Sequence, residues 1–237
     1  MNNQARLSNG DFFDHIGAIP DGSVDLVITD PPYRNISGGN KSKKWKSGWA
    51  TSVLHKNDGK IFNHNSISFE QWIPEIYRVL KDGSHFYCMT NVLNIKKLIE
   101  VGEKAGFYLH NILVWEKNTA NANRWYMKNC EFVCFFKKGK AKTINNPSSK
   151  MIHKFDNPRN KTHPTEKPVG LMEFYILNST KKGGIVFDPF MGTGSSGVAS
   201  IRNDRNFVGF EIEKSYFDIA MERIGNAIKE NIRMASK

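Results

Sequence analysis

The stretch from Ile185 to Arg202, "IVFDPFMGTGSSGVASIR", constrains this chain more than any other. A short apolar run ends at Asp188. A turn carrying Gly192 and Gly194 follows, and small residues then suit a helix over Ser195–Arg202. Glycine permits the tight turn and lets the backbone approach a ligand. The next apolar run, Phe207–Glu211, ends in an acid 17 positions after Gly194. Strand, glycine turn, helix, and an acid at the next strand end are the parts of a nucleoside-binding half of a doubly wound sheet. The acid there accepts hydrogen bonds from ribose hydroxyls. A lone GxG also serves turns that bind nothing, so the spacing to Glu211 carries the reading.

Asp188 makes this loop acidic, and no lysine follows the glycines as it would in a phosphate-binding loop. A cationic nucleoside such as S-adenosylmethionine suits it better than NAD or ATP. The position of the unit is unusual. In a doubly wound fold it normally comes first, whereas here only one helix, Ser215–Glu230, follows Glu211. The N-terminal strands must complete the sheet. That is a circular permutation, which is tolerated because domain ends often lie close together.

Upstream, strands are expected at Ala5–Ser8, Val24–Thr29, His85–Thr90, Tyr108–Glu116 and Cys130–Lys137, joining the strand Ile185–Asp188. Helices are expected at Phe12–Ile19 (a turn or two), Ser68–Leu80, Leu93–Ala105 and Glu166–Thr180. Ser68 with Gln71 forms a capping box, "KDG" closes that helix, Gly106 closes the next, and Pro168 is tolerated in a first turn. Residues 138–162 read as a basic loop. The alternation predicts a circularly permuted Rossmann-like α/β fold with helices on both faces. Its sheet would have seven mostly parallel strands. The helix-free pair Tyr108–Glu116 and Cys130–Lys137 would supply one antiparallel strand at an edge. The whole of 1–237 is then one catalytic domain, interrupted by a basic mobile loop at 34–67.

Net charge is +11, and its location points to a polyanion. Segment 34–60 carries seven Lys/Arg against one acid, and segment 137–167 nine against two, so the remainder is slightly acidic. Charge concentrated in two segments suggests nucleic acid over general solubility. Cys88, Cys130 and Cys134 lie in apolar stretches, where a free thiol is a small buried hydrophobe, and a reducing cytoplasm suits them. No apolar run approaches the ~18 residues of a membrane span, and "MNNQARLSNGDFF" lacks a basic-then-apolar pattern, so no secretion is expected. The seven histidines show no ligand spacing, so no metal is expected.

A second motif, "VDLVITDPPYRN" at 24–35, ends a strong strand in an acid, two prolines and a tyrosine. Ligands of open α/β sheets lie beyond the carboxyl ends of strands. The prolines hold this rim extended. The Asp30 carboxylate and the Pro31 carbonyl are acceptors suited to an exocyclic amino group, and Tyr33 offers a ring for a planar base.

"TDPPY" (29–33) and "DPFMGTG" (188–194), in that order, resemble the beta-class amino-methyltransferases of DNA. "THPTEKPVGLMEFYI" (162–176) and "LSNGD" (7–11) resemble further parts of that family, and the likeness covers nearly all the chain except the two basic segments. The resemblance implies a pocket for S-adenosylmethionine lined by Asp188, Phe190, Gly192, Thr193, Gly194, Ser195 and Ile212, with Glu211 on the ribose. Asp11 and Phe12 would face its adenine, and His163, Pro164 and Lys167 its methionine end. Asp30, shared by both ligands, would hold the target base with Pro31, Pro32 and Tyr33. The role of Glu131 stays open between structure and function.

A base inside a duplex must flip out to reach a sulfonium methyl. Acceptors at Asp30 and Pro31 would draw its planar amino group toward tetrahedral, so neither a metal nor a cysteine adduct is needed. In this family an aspartate at the first motif position goes mostly with adenine, which implies N6-methyladenine. N4-methylation of cytosine, methylation of RNA or of a protein glutamine, and an inactive binding homologue are the rivals.

Double-stranded DNA would be met by Arg34, Lys41, Lys43, Lys44, Trp45 and Lys46 in the first basic segment and by Arg124 beyond it. In the second segment Lys138, Lys140, Lys142, Lys150, Lys154 and Arg159 would serve, and there, over 138–162, the resemblance places target recognition. A homodimer and a cognate restriction endonuclease are further partners it admits.

Overall fold

The computed structural model describes residues 4–32, 67–121, 126–158 and 166–235. The strands are β1 (Ala5–Asn9), β2 (Val24–Thr29), β3 (Leu80–Thr90), β4 (Phe107–Asn121), β5 (Lys128–Lys138), β6 (Ile152–Lys154), β7 (Ile185–Asp188) and β8 (Asn206–Glu211). The helices are α1 (Phe12–Ile16), α2 (Phe69–Val79), α3 (Ile95–Lys104), α4 (Val169–Ser179), α5 (Ser195–Arg202) and α6 (Lys214–Ala235).

One sheet holds all these strands in the order β1-β8-β7-β2-β3-β5-β4-β6. The permutation is explicit in it. β7 and β8, late in the chain, lie between the early strands β1 and β2, pairing parallel to each. β2 is buried on both faces from Leu26 to Thr29, as its unbroken apolar, β-branched run requires of a central strand. One apolar layer forms where α4, α5 and α6 cover the sheet, around Leu171, Tyr175, Ile176, Ala199 and Ile224. The other forms under α1, α2 and α3, around Phe12, Trp72, Ile76, Leu98 and Phe136. In α2 the residues Trp72, Ile73, Ile76 and Val79 recur at helical spacing and are all buried.

Three expectations need correction. The sheet has eight strands, not seven, because three residues of the basic "loop", Ile152–Lys154, pair parallel with Val114–Glu116 of β4. The antiparallel strand is internal, not at an edge. The crossover through α3 leaves one strand position vacant, β4 pairs beyond it, and β5 returns antiparallel to fill it between β3 and β4. Finally, "KDG" belongs to β3. Register shifts between the pairs Val24↔Leu80 and Leu26↔His85 absorb these residues as a bulge, with Gly83 at φ +77.

Candidate active site

The carboxyl ends of β2, β7 and β8 lie side by side and present Asp30, Asp188 and Glu211. The three acids have different surroundings. Asp188 is 3% exposed. Its Oδ1 accepts from Thr29 Oγ1 at 2.7 Å and from Phe190 N at 3.1 Å, and its Oδ2 accepts from Ser196 Oγ at 2.6 Å. Burial pushes this carboxyl up to about 6, against those hydrogen bonds. Asp188 therefore ties the end of β7 to β2 and to the first turn of α5. That differs from the expected pocket-lining part, because the carboxylate is buried and its hydrogen bonds all go to groups inside the protein.

Thr193 and Gly194 also face inward. The Thr193 hydroxyl and carbonyl accept from Arg223 Nη1 of α6 at 2.9 and 2.8 Å, and Arg223 Nη2 pairs with Glu166 at 2.9 Å. Gly194 has φ +81, and a Cβ there would lie 3.0 Å from Ala220 Cβ and 3.1 Å from Ile224 Cδ1. Its missing side chain admits α6.

The other members of the expected pocket stand on the open side. Gly192 has φ +52, and a Cβ there would meet nothing within 4 Å. Glu211 Oε2 accepts from Gly192 N at 2.9 Å, and Oε1 from Glu213 N at 2.8 Å, so the acid is aimed across the glycine turn. Ser195 Oγ is buried with no hydrogen-bond partner among the described residues. Such a hydroxyl costs stability unless something bonds to it, and it stands at the head of α5 beside the turn. Asp11 is exposed and caps α1 by accepting from Phe13 N at 2.9 Å. Phe12 is buried against Phe190 at 5.8 Å, Phe190 packs edge-on against Trp72 at 5.2 Å, and Ile212 is exposed. An apolar shelf, an aimed carboxylate, an open glycine and an unsatisfied hydroxyl together fit a nucleoside cofactor.

At the end of β2, Asp30 Oδ2 pairs with Lys167 Nζ. Lys167 lies just before α4 and is 8% exposed. Its ammonium is also 3.3 Å from Glu131 Oε2 on β5, and Glu131 Oε1 pairs with Lys117 on β4. Burial alone would lower the Lys167 ammonium, but the two carboxylates outweigh it and hold it above its ordinary value. Burial likewise works to raise Glu131, while Lys167 and Lys117 keep it below the ordinary carboxylate value. The four side chains form a row of alternating charge. The sequence reading placed Lys167 at the cofactor, left Glu131 open and missed Lys117. Trp115 lies opposite Glu131 in the hairpin register, and Lys117 follows on the same side of β4, so the alternation of β4 was the available signal.

Tyr33, Arg34, Lys41, Lys43, Lys44, Trp45, Lys46, Arg124, Arg159, His163 and Pro164 lie outside the described residues. The second basic segment divides. Lys138 is buried, and its ammonium donates to the carbonyls of Tyr77 and Leu80 at 2.7 Å each, closing the end of α2. It is therefore unavailable to DNA, contrary to expectation. Lys140 and Lys142 are exposed but pack by Gly83 at the amino end of β3, where Lys142 N donates to Gly83 O at 3.0 Å. His85 and Thr90 are five residues apart along that strand, so these lysines lie ~17 Å or more from the rim that carries Asp30. That separates them from the expected DNA face. Lys150 and Lys154 are exposed, and Lys154 pairs in register with Glu116, near the Asp30 end of the sheet. Among the described residues no cluster of three His, Cys, Asp or Glu side chains is placed to hold a metal, and no helix is long and apolar enough to cross a membrane.

Known proteins resemble this chain in sequence and in fold. The family N6_N4_Mtase, described as DNA methylase, matches residues 24–222. The Type II methyltransferase M2.MboI of Moraxella bovis is 26% identical over 260 aligned positions, covering 96% of this chain and 92% of that protein. M2.DpnII of Streptococcus pneumoniae, also a Type II methyltransferase, is 27% identical over 244 positions, covering 94% and 90%. Among solved structures, the M1.HpyAVI–SAM complex superposes with a TM-score of 0.71 at 26% identity, over 93% of this chain and 100% of that one. The cytosine-N4-specific PvuII DNA methyltransferase shares the fold with a TM-score of 0.70 at 16% identity, over 97% of this chain and 93% of that one.

Proposed function

Because the chain belongs to the N6_N4_Mtase family of DNA methylases, we propose that it transfers the methyl group of S-adenosylmethionine to the N6 amino group of adenine in duplex DNA. The fold does not choose the base, since a cytosine-N4 enzyme shares it. The observation that carries adenine is Asp30, the acid at the first position of its motif, ending β2 beside the cofactor loop. When bound, S-adenosylmethionine supplies an electrophilic methyl group on a sulfonium.

In this reading Glu211 accepts from its ribose, Ser195 Oγ bonds a polar atom of it, and Phe12 and Phe190 back its apolar surface, which the orientation of Glu211 across the glycine turn and the buried Ser195 hydroxyl, unpartnered among the described residues, support. Asp30 and the Pro31 carbonyl accept the hydrogens of the target amino group, which turns the nitrogen lone pair out of the ring plane; as the N–C bond forms the S–C bond would break, a neutral thioether would leave, and the surplus amino proton would be lost to solvent. Positioning of this kind supplies much of the rate in a transfer that needs no metal. The target base must leave the duplex to reach Asp30. Recognition belongs to the later part of segment 138–162, with Lys150 and Lys154 on phosphates, and the Type II naming of the relatives supports a companion restriction endonuclease.

Unmethylated DNA incubated with the protein and cofactor, then digested to nucleosides, should contain N6-methyladenine by mass spectrometry. N4-methylcytosine would overturn the assignment. Asp30→Ala should lower the rate roughly 10²-fold or more if the carboxylate acts chiefly in the transition state.

A further inference from the structure

The row Asp30–Lys167–Glu131–Lys117 joins three segments distant in sequence: the end of β2, the entry to α4 and the β4–β5 hairpin. Buried ion pairs contribute little net stability, because desolvation offsets most of the attraction, and apolar side chains of similar size often serve a fold equally well. The two apolar layers already hold this sheet. Charges kept at the rim of a site call for a role there. A carboxylate on a short side chain can rotate. An acceptor that must meet an amino hydrogen in one geometry works only when that rotation is stopped. Lys167 stops it at Oδ2. Lys167 has a long, flexible stem, and Glu131 fixes it in turn from 3.3 Å. Glu131 is itself held by Lys117, whose ammonium lies 5.2 Å from the centre of the Trp115 ring. Trp115 is braced because its indole N–H donates to Phe155 O at 2.8 Å.

We infer that Lys167 and Glu131 are positioning residues for methyl transfer, acting through Asp30, and that Lys167 does not serve mainly to bind the cofactor. This rests on the reading of the chain as a DNA methyltransferase. It extends that reading to two residues that need not touch either ligand, and it predicts an effect that fades along the row.

The test uses the full chain, unmethylated bacterial genomic DNA and tritium-labelled S-adenosylmethionine, with cofactor affinity measured separately by calorimetry. Glu131→Gln, which keeps shape and removes charge, should lower kcat roughly 10-fold or more while cofactor affinity stays within about twofold. Lys167→Arg should keep most of the activity, and Lys117→Met should lose less than Glu131→Gln. With Asp30→Asn already present, Glu131→Gln should add little, because the group it positions has gone. An unchanged kcat in Glu131→Gln, losses that simply multiply in the double variant, or weakened cofactor binding with kcat intact would each overturn the inference. A wild-type chain that binds the cofactor and labels no DNA would instead overturn the underlying assignment, and the inference with it.

Discussion

Two glycines and two polar side chains of one turn divide between fold and ligand. At Gly194 the left-handed backbone and the nearness of Ala220 and Ile224 both exclude a side chain. Gly194→Val should therefore damage folding, by about 1–3 kcal/mol from overpacking with strain added, visible as a lower melting temperature before any cofactor is present. Gly192→Val strains the left-handed backbone as well, at φ +52, but its side chain meets open space, so it should cost less stability than Gly194→Val while lowering cofactor affinity in calorimetry. Ser195→Ala should leave stability unchanged or slightly higher, since an unsatisfied hydroxyl is removed, while lowering that affinity. The sequence showed which residues form the turn. It could not show which way each one faces, because "GTGSS" has the same composition seen from either side. Asp188 makes the same point. It reads as an acid facing a cation, yet it is an internal brace raised to about 6 by burial. A carboxyl raised on folding contributes stability below its unfolded value near 3.8, and that contribution is lost as pH rises through about 6. Melting curves should thus show wild type losing ground to Asp188→Asn between pH 4 and pH 7, by about 3 kcal/mol at most. A constant difference across that range would contradict it.

Elements with strong internal patterning were legible. The β-branched run of β2 and the helical spacing of Trp72, Ile73 and Ile76 fix their own classes. Elements defined by a neighbour were not. β6 is three residues long with only His153 buried, and nothing in "IHK" asks for a strand until β4 provides an edge. The place of β5 inside the sheet depends on where β4 lands. Lys138 was misread for a related reason. A count of charges treats all lysines alike, whereas this one threads its stem past Tyr77 to the free carbonyls at the end of α2. Lys138→Ala should cost about 2–3 kcal/mol through removal of two charge-assisted hydrogen bonds, read by denaturant unfolding. The salt dependence of DNA binding should not change. A reduced salt slope without loss of stability would return Lys138 to the DNA face.

Over the whole molecule the two ends of the sheet carry different residues. Asp30, Glu211 and the charged row occupy the carboxyl end of the parallel strands, and Lys140 and Lys142 lie at the amino end. Neutralising Lys150 and Lys154 should reduce the salt slope of DNA binding by about one for each phosphate left without its lysine, and neutralising Lys140 and Lys142 should leave it unchanged. Net charge of the segment points to a polyanion and not to a face, because a polyanion responds to position and a sum does not contain it. The chain also brings both of its flanks to the amino end. Gln4 N donates to Asn206 Oδ1 at 3.0 Å at the start of β8. α6 leaves Glu211 and returns along the sheet until Glu230 pairs with Arg202 at 3.4 Å and Asn231 bonds to Ile201 O. Its 22 residues cover ~33 Å, enough to run from one end of the sheet to the other. Gln4 and the end of α6 at Ala235 therefore both lie at the end of the sheet opposite Asp30 and Glu211. A dye, a bead or a fused targeting protein placed there would act as a handle that leaves the front free to slide along, and modify, a tethered duplex.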